Sequence, residues 1–255
     1  MINISIIGSG NVGKHFVRLV QNSESINLIQ WMSRSKVSYQ KIKSTSNFEN
    51  IKSADIYMIC VSDKSINEVS EKLKVTNQLI VHTSGINHFN ILSDNNRRGV
   101  FYPLQTFSKE KKTQELEIPM CIETEYKNDM KILIDLCKYL NLKYYQLDCE
   151  KRKILHLAAV FSNNFSNHLY SIASKITQEN NIDFNILKPL IQETANKILF
   201  LNPVKAQTGP AVRNDEVTIN DHLKLLKNNE LNNLYRIFTQ LIKDENKLQR
   251  KIKKN

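Results

Sequence analysis

The stretch IIGSGNVGKHF, residues 6–16, decides the fold. It holds three of the six glycines in the chain, Gly8, Gly10 and Gly13, in the pattern GxGxxG. The apolar run INISII precedes it at residues 2–7, and a helical pattern with Val12, Phe16, Leu19 and Val20 on one face follows it. The pattern is typical of dinucleotide binding when a strand enters the glycine turn and a helix leaves it, as predicted here.

Each glycine of the turn has a predicted task. Gly8 permits the tight turn, Gly10 lets the backbone approach a pyrophosphate, and Gly13 lets helix and strand pack closely. The helix N-terminus adds free N–H groups and the positive end of a dipole. The residues predicted to surround the pyrophosphate are Gly8, Ser9, Gly10, Asn11, Val12 and Gly13. The alternative is a glycine turn that binds nothing.

The rest of the chain divides into two parts of different character. Short apolar runs alternate with helical patterns up to residue 148, which is typical of a parallel α/β sheet. Further strands are predicted at 26–32, within 53–62, at 78–85, 99–105, 118–123 and 143–148, with helices at 65–73 and 126–141. Only helices are predicted afterwards, at 150–180, 183–201, 219–228 and 230–252. We therefore predict an α/β fold, with a Rossmann-type domain over 1–148 and an all-helical domain over 149–255.

Composition excludes several classes of protein. The net charge is +11, and the last nine residues, KLQRKIKKN, supply five positive charges, so we interpret them as a frayed basic end and expect no nucleic-acid partner. The remaining positive charge favours small anionic ligands. The four cysteines show no CxxC spacing, so we expect neither a metal site nor disulfides. No run of 18 apolar residues exists, so we expect no membrane span and a cytoplasmic location.

The end of the second predicted strand indicates which dinucleotide binds. An NAD site usually places an acidic residue there to hold the ribose 2′-hydroxyl. This chain has Ser33, Arg34, Ser35 and Lys36 instead. Because the guanidinium of arginine binds phosphate with two parallel hydrogen bonds, the segment predicts NADP(H) as cofactor. A surface loop that is basic by chance is the alternative.

Two later strand ends complete the predicted cofactor site, because ligands lie outside the carboxyl ends of parallel strands. Val61, Ser62 and Asp63 follow one strand, and Ile66 opens the next helix. Thr83, Ser84 and Gly85 follow another strand. Small hydroxyl residues there can approach the second ribose and the nicotinamide. Simple helix capping is the alternative for each hydroxyl.

The motifs GSGNVG, HTSG, FYPLQTFS, HLAAVFSNNFSNHL and TGPAVRNDEVTINDHL together resemble a known family. It comprises two-domain Rossmann-like oxidoreductases with a helical C-terminal domain of unknown function, related to ketopantoate reductase, pyrroline-5-carboxylate reductase and the 6-phosphogluconate dehydrogenase superfamily. The resemblance implies hydride transfer between NADP(H) and a small carbonyl or imine substrate at the junction of the domains. Its most specific implication is reduction of ketopantoate to pantoate, for coenzyme A synthesis.

The helix over 150–180 holds candidate catalytic residues. His156, Val160 and Asn164 are spaced to lie near one face. The resemblance implies a Lys and an Asn four residues apart on this helix, and if Asn164 is that Asn, Val160 stands at the position of the Lys. Histidine can donate a proton near neutral pH, so we expect His156 to replace it. Asn163 is also a candidate. The alternative is that these polar side chains are packed and structural.

The segment TGPAVRNDE supplies further candidates in a loop that interrupts the helices. Thr208 can donate a hydrogen bond, Arg213 can clamp a substrate carboxylate, and Asp215 can orient Arg213 or act on a substrate hydroxyl. An Arg–Asp pair that only fixes the loop is the alternative.

Other functions stay open from the sequence. One is an imine reductase of the pyrroline-5-carboxylate type or another hydroxy-acid dehydrogenase. Another is a regulator that binds NADP(H) without catalysis, which the absence of a Lys at position 160 keeps open. The helix at 230–252 has a broad apolar face, and helical second domains in this superfamily commonly form homodimers, so we expect a homodimer.

Overall fold

The computed structural model describes residues 1–40, 42–107 and 118–252. Two compact units are present, residues 1–169 and residues 170–255. The domain boundary predicted after residue 148 lies at the end of the last strand and stays a prediction. Ser108 of the FYPLQTFS motif and residues 253–255 of the basic tail lie outside the described residues.

A seven-stranded sheet forms the centre of the first unit. The strands of the described residues are β1 (Ile2–Ile7), β2 (Ile26–Met32), β3 (Ser38–Tyr39), β4 (Ile42–Lys43), β5 (Ile56–Ile59), β6 (Leu79–His82), β7 (Arg97–Pro103), β8 (Met120–Thr124) and β9 (Tyr144–Gln146). The sheet order is β2-β1-β5-β6-β7-β8-β9, and β3 and β4 form a separate antiparallel ribbon. The mostly parallel α/β fold is confirmed.

Two details of the sheet differ from the sequence prediction. Strand β8 pairs with β7 in the antiparallel direction, so the sheet is mixed rather than wholly parallel. Apolar runs indicate that a strand is buried but not its direction, and antiparallel strands on otherwise parallel sheets are common. The ribbon of β3 and β4 was not predicted, because two-residue strands are too short to show an alternating pattern.

The helices are α1 (Asn11–Gln21), α2 (Ile66–Lys72), α3 (Lys127–Tyr139), α4 (Cys149–Ala159), α5 (Ser166–Glu179), α6 (Lys188–Lys197), α7 (Pro203–Ala206), α8 (Pro210–Arg213), α9 (Glu216–Leu225) and α10 (Asn229–Ile252). A π-helical segment, Val160–Phe165, joins α4 to α5, so the helix predicted over 150–180 is present but changes its winding in the middle. The short α7 and α8 were not predicted. No helix in the described ranges has the length and apolar character that a membrane span requires.

The apolar core lies in the first unit. Alternate residues of β5 point to opposite faces of the sheet: Ile56 and Met58 belong to one buried cluster, Tyr57 and Ile59 to another. Helix α1 adds Phe16 to the first cluster, as its amphipathic pattern predicts. All buried members of both clusters fall between residues 2 and 140. Because each such side chain contributes about 1.5–3 kcal/mol, this core holds the sheet edge rigid.

Candidate functional site

The segments predicted to bind the cofactor lie in a row along one edge of the sheet. Ile7, at the end of β1, pairs with Met32 of β2 and with Ile59 of β5. Ile59 in turn pairs with His82 of β6, so four parallel strands end at one level. The order of strands reverses between β1 and β5, and dinucleotides bind outside the carboxyl ends of strands at such a switch point. The structure thus brings together residues 33–36, 8–13, 61–63 and 83–85.

The glycine turn leaves an open space at one position. A Cβ at Gly8, where φ is +123°, would lie 2.1 Å from the Cys60 carbonyl oxygen, and a Cβ at Gly13 would lie 2.3 Å from the Gly8 oxygen. Both positions therefore require glycine for steric reasons. A Cβ at Gly10 would meet nothing within 4 Å. This open approach to the backbone, directly before α1, fits a pyrophosphate.

Neighbouring side chains hold the turn in place. The indole Nε1 of Trp31, 2% exposed, donates to the Gly8 oxygen at 2.9 Å. Ser33 Oγ donates to Ser9 Oγ at 2.5 Å, and Asn11 Nδ2 donates to the Phe107 oxygen at 2.8 Å. The side chains predicted to bind cofactor at these positions are thus engaged within the protein. The backbone N–H groups at the start of α1, which lack a side-chain cap, are what the turn presents to an anion.

The basic loop after β2 exposes its cationic side chains. Ser33 is 5% exposed, whereas Arg34, Ser35 and Lys36 are exposed. Ser44 fixes the backbone of this loop by accepting from Val37 N at 2.9 Å and donating to the Ser35 oxygen at 3.2 Å. The loop therefore presents its cations from an ordered backbone.

A carboxylate lies within electrostatic range of Arg34. The pKa of Glu68 is lowered, mainly by its hydrogen bond from Lys72 at 2.6 Å and in smaller part by the charge of Arg34. Lys72 is thus the main partner of Glu68, which leaves the exposed guanidinium of Arg34 available for a phosphate.

The segment after β5 directly follows the strand end, and neither Ser62 nor Ser65 caps the following helix with its side chain. Ser62 Oγ lies 3.0 Å from Ser65 Oγ at the start of a 3₁₀ turn, and Asp63 is exposed there. Val61 is half-buried. Ile66 is 1% exposed and belongs to the apolar core, so only its position at the start of α2 adjoins the row of strand ends.

The turn after β6 is shaped by its own hydroxyls. Ser84 Oγ accepts from the backbone N–H groups of Ile86 and Asn87 at 3.3 and 3.2 Å. Thr83 Oγ1 donates to the Ile59 oxygen at 3.4 Å. Neither contact is a helix cap, since the next helical turn is capped by His88; both instead stabilise the loop around Gly85.

The buried side chain of His82 stabilises this turn by hydrogen bonds. It is fully buried, its Nε2 lies 3.3 Å from the His88 oxygen, and its Nδ1 accepts from Ser84 N at 3.1 Å. Burial, together with the charge of Arg152, lowers the pKa of His82 to about 4. His82 is therefore a neutral structural residue at neutral pH.

Helix α4 brings His156 to the same edge of the sheet. Arg152 attaches the first turns of α4 to the sheet. It is fully buried, forms an ion pair with Glu123 of β8 and donates to the Asn87 oxygen at 2.5 Å. One turn later, His156 Nδ1 lies 3.1 Å from the hydroxyl of Tyr102 at the end of β7. Sequence analysis did not identify Tyr102, Arg152 or Glu123.

Gly85 makes room for this pair of rings. A Cβ at Gly85 would lie 2.7 Å from His156 Nδ1 and 2.9 Å from Tyr102 Cζ. The glycine predicted to adjoin the cofactor therefore also lets His156 approach the sheet. A half-buried histidine, an aromatic hydroxyl and the row of strand ends thus meet at one place.

The π-helical segment places the two candidate asparagines after His156. An α-helix completes two turns in 7.2 residues, so in a regular helix Asn164 would lie about 80° around the axis from His156. The wider π-helical turn advances less per residue and reduces this angle. Asn163 and Asn164 are both exposed. π-Helical segments are frequent at functional sites.

The remaining catalytic candidates belong to the second unit. Arg213 Nη2 lies 4.0 Å from Asp215 Oδ2, and Thr208 is exposed in the preceding loop. Asp215 caps α9 by accepting from Thr218 N at 3.1 Å and Thr218 Oγ1 at 2.8 Å, which lowers its pKa. Asp215 therefore has a structural role as the cap of α9, which is a different contact from the Arg–Asp pair of the alternative. The roles predicted for Thr208, Arg213 and Asp215 toward a substrate stay predictions.

No group of three or more His, Cys, Asp or Glu residues placed to hold a metal ion is found among the described residues.

Comparisons with known proteins identify the family. The model of the family described as a domain of unknown function, DUF2520, matches residues 118–242. A structure described as a candidate NADP oxidoreductase from Bacteroides fragilis is 33% identical, with a TM-score of 0.85 over 95% of this chain and 98% of that one. The chain belongs to this family of two-domain oxidoreductases.

More distant structures share the fold. A Thermotoga maritima protein is 22% identical, with a TM-score of 0.75 over 97% of this chain and 99% of that one. Pyrroline carboxylate reductase from Plasmodium falciparum, solved with NADP bound, is 13% identical, with a TM-score of 0.61 over 96% and 98%. No curated protein matches the chain.

Two glycine substitutions separate binding from folding. Gly10→Ala adds a Cβ in open space at a φ of −67°, which alanine adopts without strain, so we expect stability within about 0.5 kcal/mol of wild type and a large loss of dinucleotide affinity. Gly13→Ala is the matched control and should lower the free energy of unfolding by about 1–3 kcal/mol. Denaturant unfolding and NADPH titration measure the two effects. Undiminished NADPH affinity in Gly10→Ala contradicts the assignment of this turn.

Buried His82 predicts a dependence of stability on pH. Its pKa is 6.5 before folding and about 4 in the folded chain, so between these values the unfolded chain binds the proton. Stability therefore falls as the pH decreases, by about 2 kcal/mol from pH 7 to 5 for this residue. We expect His82→Asn to lose that part of the pH dependence, whereas the exposed control His168→Asn keeps it. Equal pH dependence in wild type and His82→Asn contradicts the prediction.

Proposed function

We propose that the chain is an NADPH-dependent reductase that transfers a hydride to a small 2-oxo acid, with ketopantoate, reduced to pantoate, as the specific substrate. One observation carries the proposal. His156 lies at the same sheet edge as the glycine turn and the loop of Arg34, beside the turn that ends at Gly85.

Cofactor binding is supported both by the residues of the site and by similarity to a known structure. The relative from Bacteroides fragilis is described as an NADP oxidoreductase. The open backbone at Gly10 suits the pyrophosphate, and Arg34, with Ser35 and Lys36 beside it, suits the 2′-phosphate that distinguishes NADP from NAD. The segments 61–63 and 83–85 continue the path along the strand ends toward His156.

The chain's own residues perform the proton chemistry. Bound NADPH supplies the hydride. His156 donates a proton to the substrate oxygen as negative charge develops on it, which is general acid catalysis. Asn164, or its neighbour Asn163, orients the substrate from the exposed face of the π-helical segment. The fully buried Arg152 keeps His156 in register by attaching α4 to the sheet.

The decisive experiment follows NADPH oxidation at 340 nm with ketopantoate as substrate. We expect Arg34→Ala to raise KM for NADPH by about 10- to 100-fold while changing KM for NADH little, because one charge-assisted phosphate contact is lost. His156→Ala should lower kcat by about 100-fold or more. Lys127→Ala removes one exposed positive charge at α3 and is the matched control for Arg34.

Each outcome has a distinct meaning. Turnover with pyrroline-5-carboxylate but not with ketopantoate means that the substrate is an imine rather than an oxo acid. The assignment of the cofactor is then unchanged. NADPH binding without turnover on a panel of oxo acids and imines identifies a regulator rather than an enzyme. Equal KM values of Arg34→Ala and Lys127→Ala for NADPH contradict the role of Arg34.

We also propose that the chain works as a homodimer. Among the described residues from 170 to 252, only Thr177, Ala211, Ile219 and Leu223 are buried. Large apolar side chains are exposed in the same range: Phe200 is 86% exposed, and Ile237 and Leu241 of α10 are 56% and 60% exposed. Since several large exposed apolar side chains favour association, a second copy of the chain is the partner that we propose for this helical unit.

Light scattering after size exclusion tests the homodimer. We expect a mass of twice 29.6 kDa for wild type. A charge on the exposed face, as in Leu241→Glu, should weaken association. The matched control Gln240→Glu places the same charge one residue earlier, at an exposed polar position. A wild-type mass of one chain at micromolar concentration contradicts the proposal.

A further inference from the structure

We infer that Tyr102 is a positioning residue that keeps one proton on Nδ1 of His156, so that Nε2 is the atom that gains and loses the catalytic proton. The inference rests on the proposed function, because it concerns how His156 donates its proton. It adds a residue, Tyr102, and names the nitrogen that acts.

The two nitrogens of His156 have different surroundings. Nδ1 lies 3.1 Å from the Tyr102 hydroxyl, at the place where Gly85 lacks a side chain. The two rings meet edge to face, with centroids 6.0 Å apart and an angle of 67° between their planes. No group of the described residues forms a hydrogen bond with Nε2, and the ring is only half-buried. Nε2 is thus the nitrogen that a substrate can reach.

The chemistry of proton donation determines the direction of the hydrogen bond. Only the imidazolium form can give up a proton from Nε2 and become a neutral ring. In the imidazolium both nitrogens are donors, so the Tyr102 oxygen must accept from Nδ1–H. As hydride adds to the carbonyl carbon, the π electrons of the carbonyl bond form the new O–H bond with the proton from Nε2. The neutral ring keeps its proton on Nδ1, and solvent then reprotonates Nε2.

The surroundings of Tyr102 keep it a neutral phenol. The pKa of Tyr102 is raised to about 12, mainly by burial and in smaller part by Cys121 of β8 and Asp63 after β5, while the charge of Arg152 on α4 acts in the opposite direction. These are the titratable and charged groups that act on Tyr102 from the neighbouring elements. A neutral hydroxyl accepts a hydrogen bond from Nδ1–H without taking its proton.

The tautomer of His156 can be observed without turnover. Nitrogen chemical shifts of the ¹⁵N-histidine-labelled full chain distinguish protonated from unprotonated ring nitrogens, and His156→Gln assigns the signals among the six histidines. In neutral His156 of the wild type we expect the proton on Nδ1. In Tyr102→Phe we expect the proton to move to Nε2. A wild-type proton on Nε2, or an unchanged tautomer in Tyr102→Phe, overturns the inference.

Kinetics supply a second readout. Tyr102→Phe should lower kcat about tenfold or more and leave KM for NADPH within about twofold, because cofactor contacts are untouched. Tyr145→Phe, which removes an exposed hydroxyl on β9, is the matched control and should keep wild-type values. If Tyr102→Phe does not fold, the tautomer of His156 in the wild type alone decides whether the inference stands. Absence of NADPH turnover in wild type contradicts the proposed function, whereas a wrong tautomer contradicts only the role of Tyr102.

Discussion

The buried guanidinium of Arg152 is the constraint on which the candidate site depends. It lies fully buried between the Glu123 carboxylate and the Asn87 carbonyl oxygen, and its Nε has no hydrogen-bond partner among the described residues. A charge in this position is stable only while both partners are in place, since loss of one partner from a buried pair costs about 3–5 kcal/mol. The first turns of α4 are therefore attached to β8 and to the loop after β6. This attachment fixes the place of His156, one turn later, relative to the sheet edge, as its proposed role as proton donor requires.

A second constraint fixes the other end of the site. Gly8, Gly13 and the Cys60 carbonyl are packed so closely that no Cβ fits, and the buried indole of Trp31 holds the Gly8 oxygen. The turn is thus preorganised before any ligand arrives, which reduces the ordering cost of binding. Gly10 alone in this turn borders open space. The contrast between crowded and open glycines supports the proposal that the turn binds phosphate.

The sequence predicted the sheet well and the side-chain contacts poorly. All seven strands of the sheet were predicted, because buried strands are continuous apolar runs bounded by turn residues. The same pattern also predicted the position of the glycine turn and the residues at which the strands end. The pairing of Tyr102 with His156 joins β7 to α4, and no local pattern indicates a contact between residues so far apart in the chain. The FYPLQTFS motif pointed to the family without indicating what its tyrosine contacts.

Some side chains that were predicted to bind the cofactor also have structural contacts. Ser33 and Ser84 were assigned to the cofactor from their positions after strands, but their hydroxyls hold Ser9 and the turn before Asn87. Short polar side chains bond the nearest backbone as readily as a ligand, and sequence alone does not distinguish the two uses. The sequence does not indicate the π-helical segment either, since its residues follow an ordinary helical pattern.

The most direct test uses Trp31, the single tryptophan of the chain, as a reporter within the glycine turn. Tryptophan emission overlaps the absorption of NADPH at 340 nm, so a bound nicotinamide quenches it by energy transfer. We expect saturable quenching of Trp31 by NADPH, with NADH needing a concentration about 10- to 100-fold higher. Absence of saturable quenching by either nucleotide, or equal affinity for both, would contradict the assignment of this sheet edge to NADP(H).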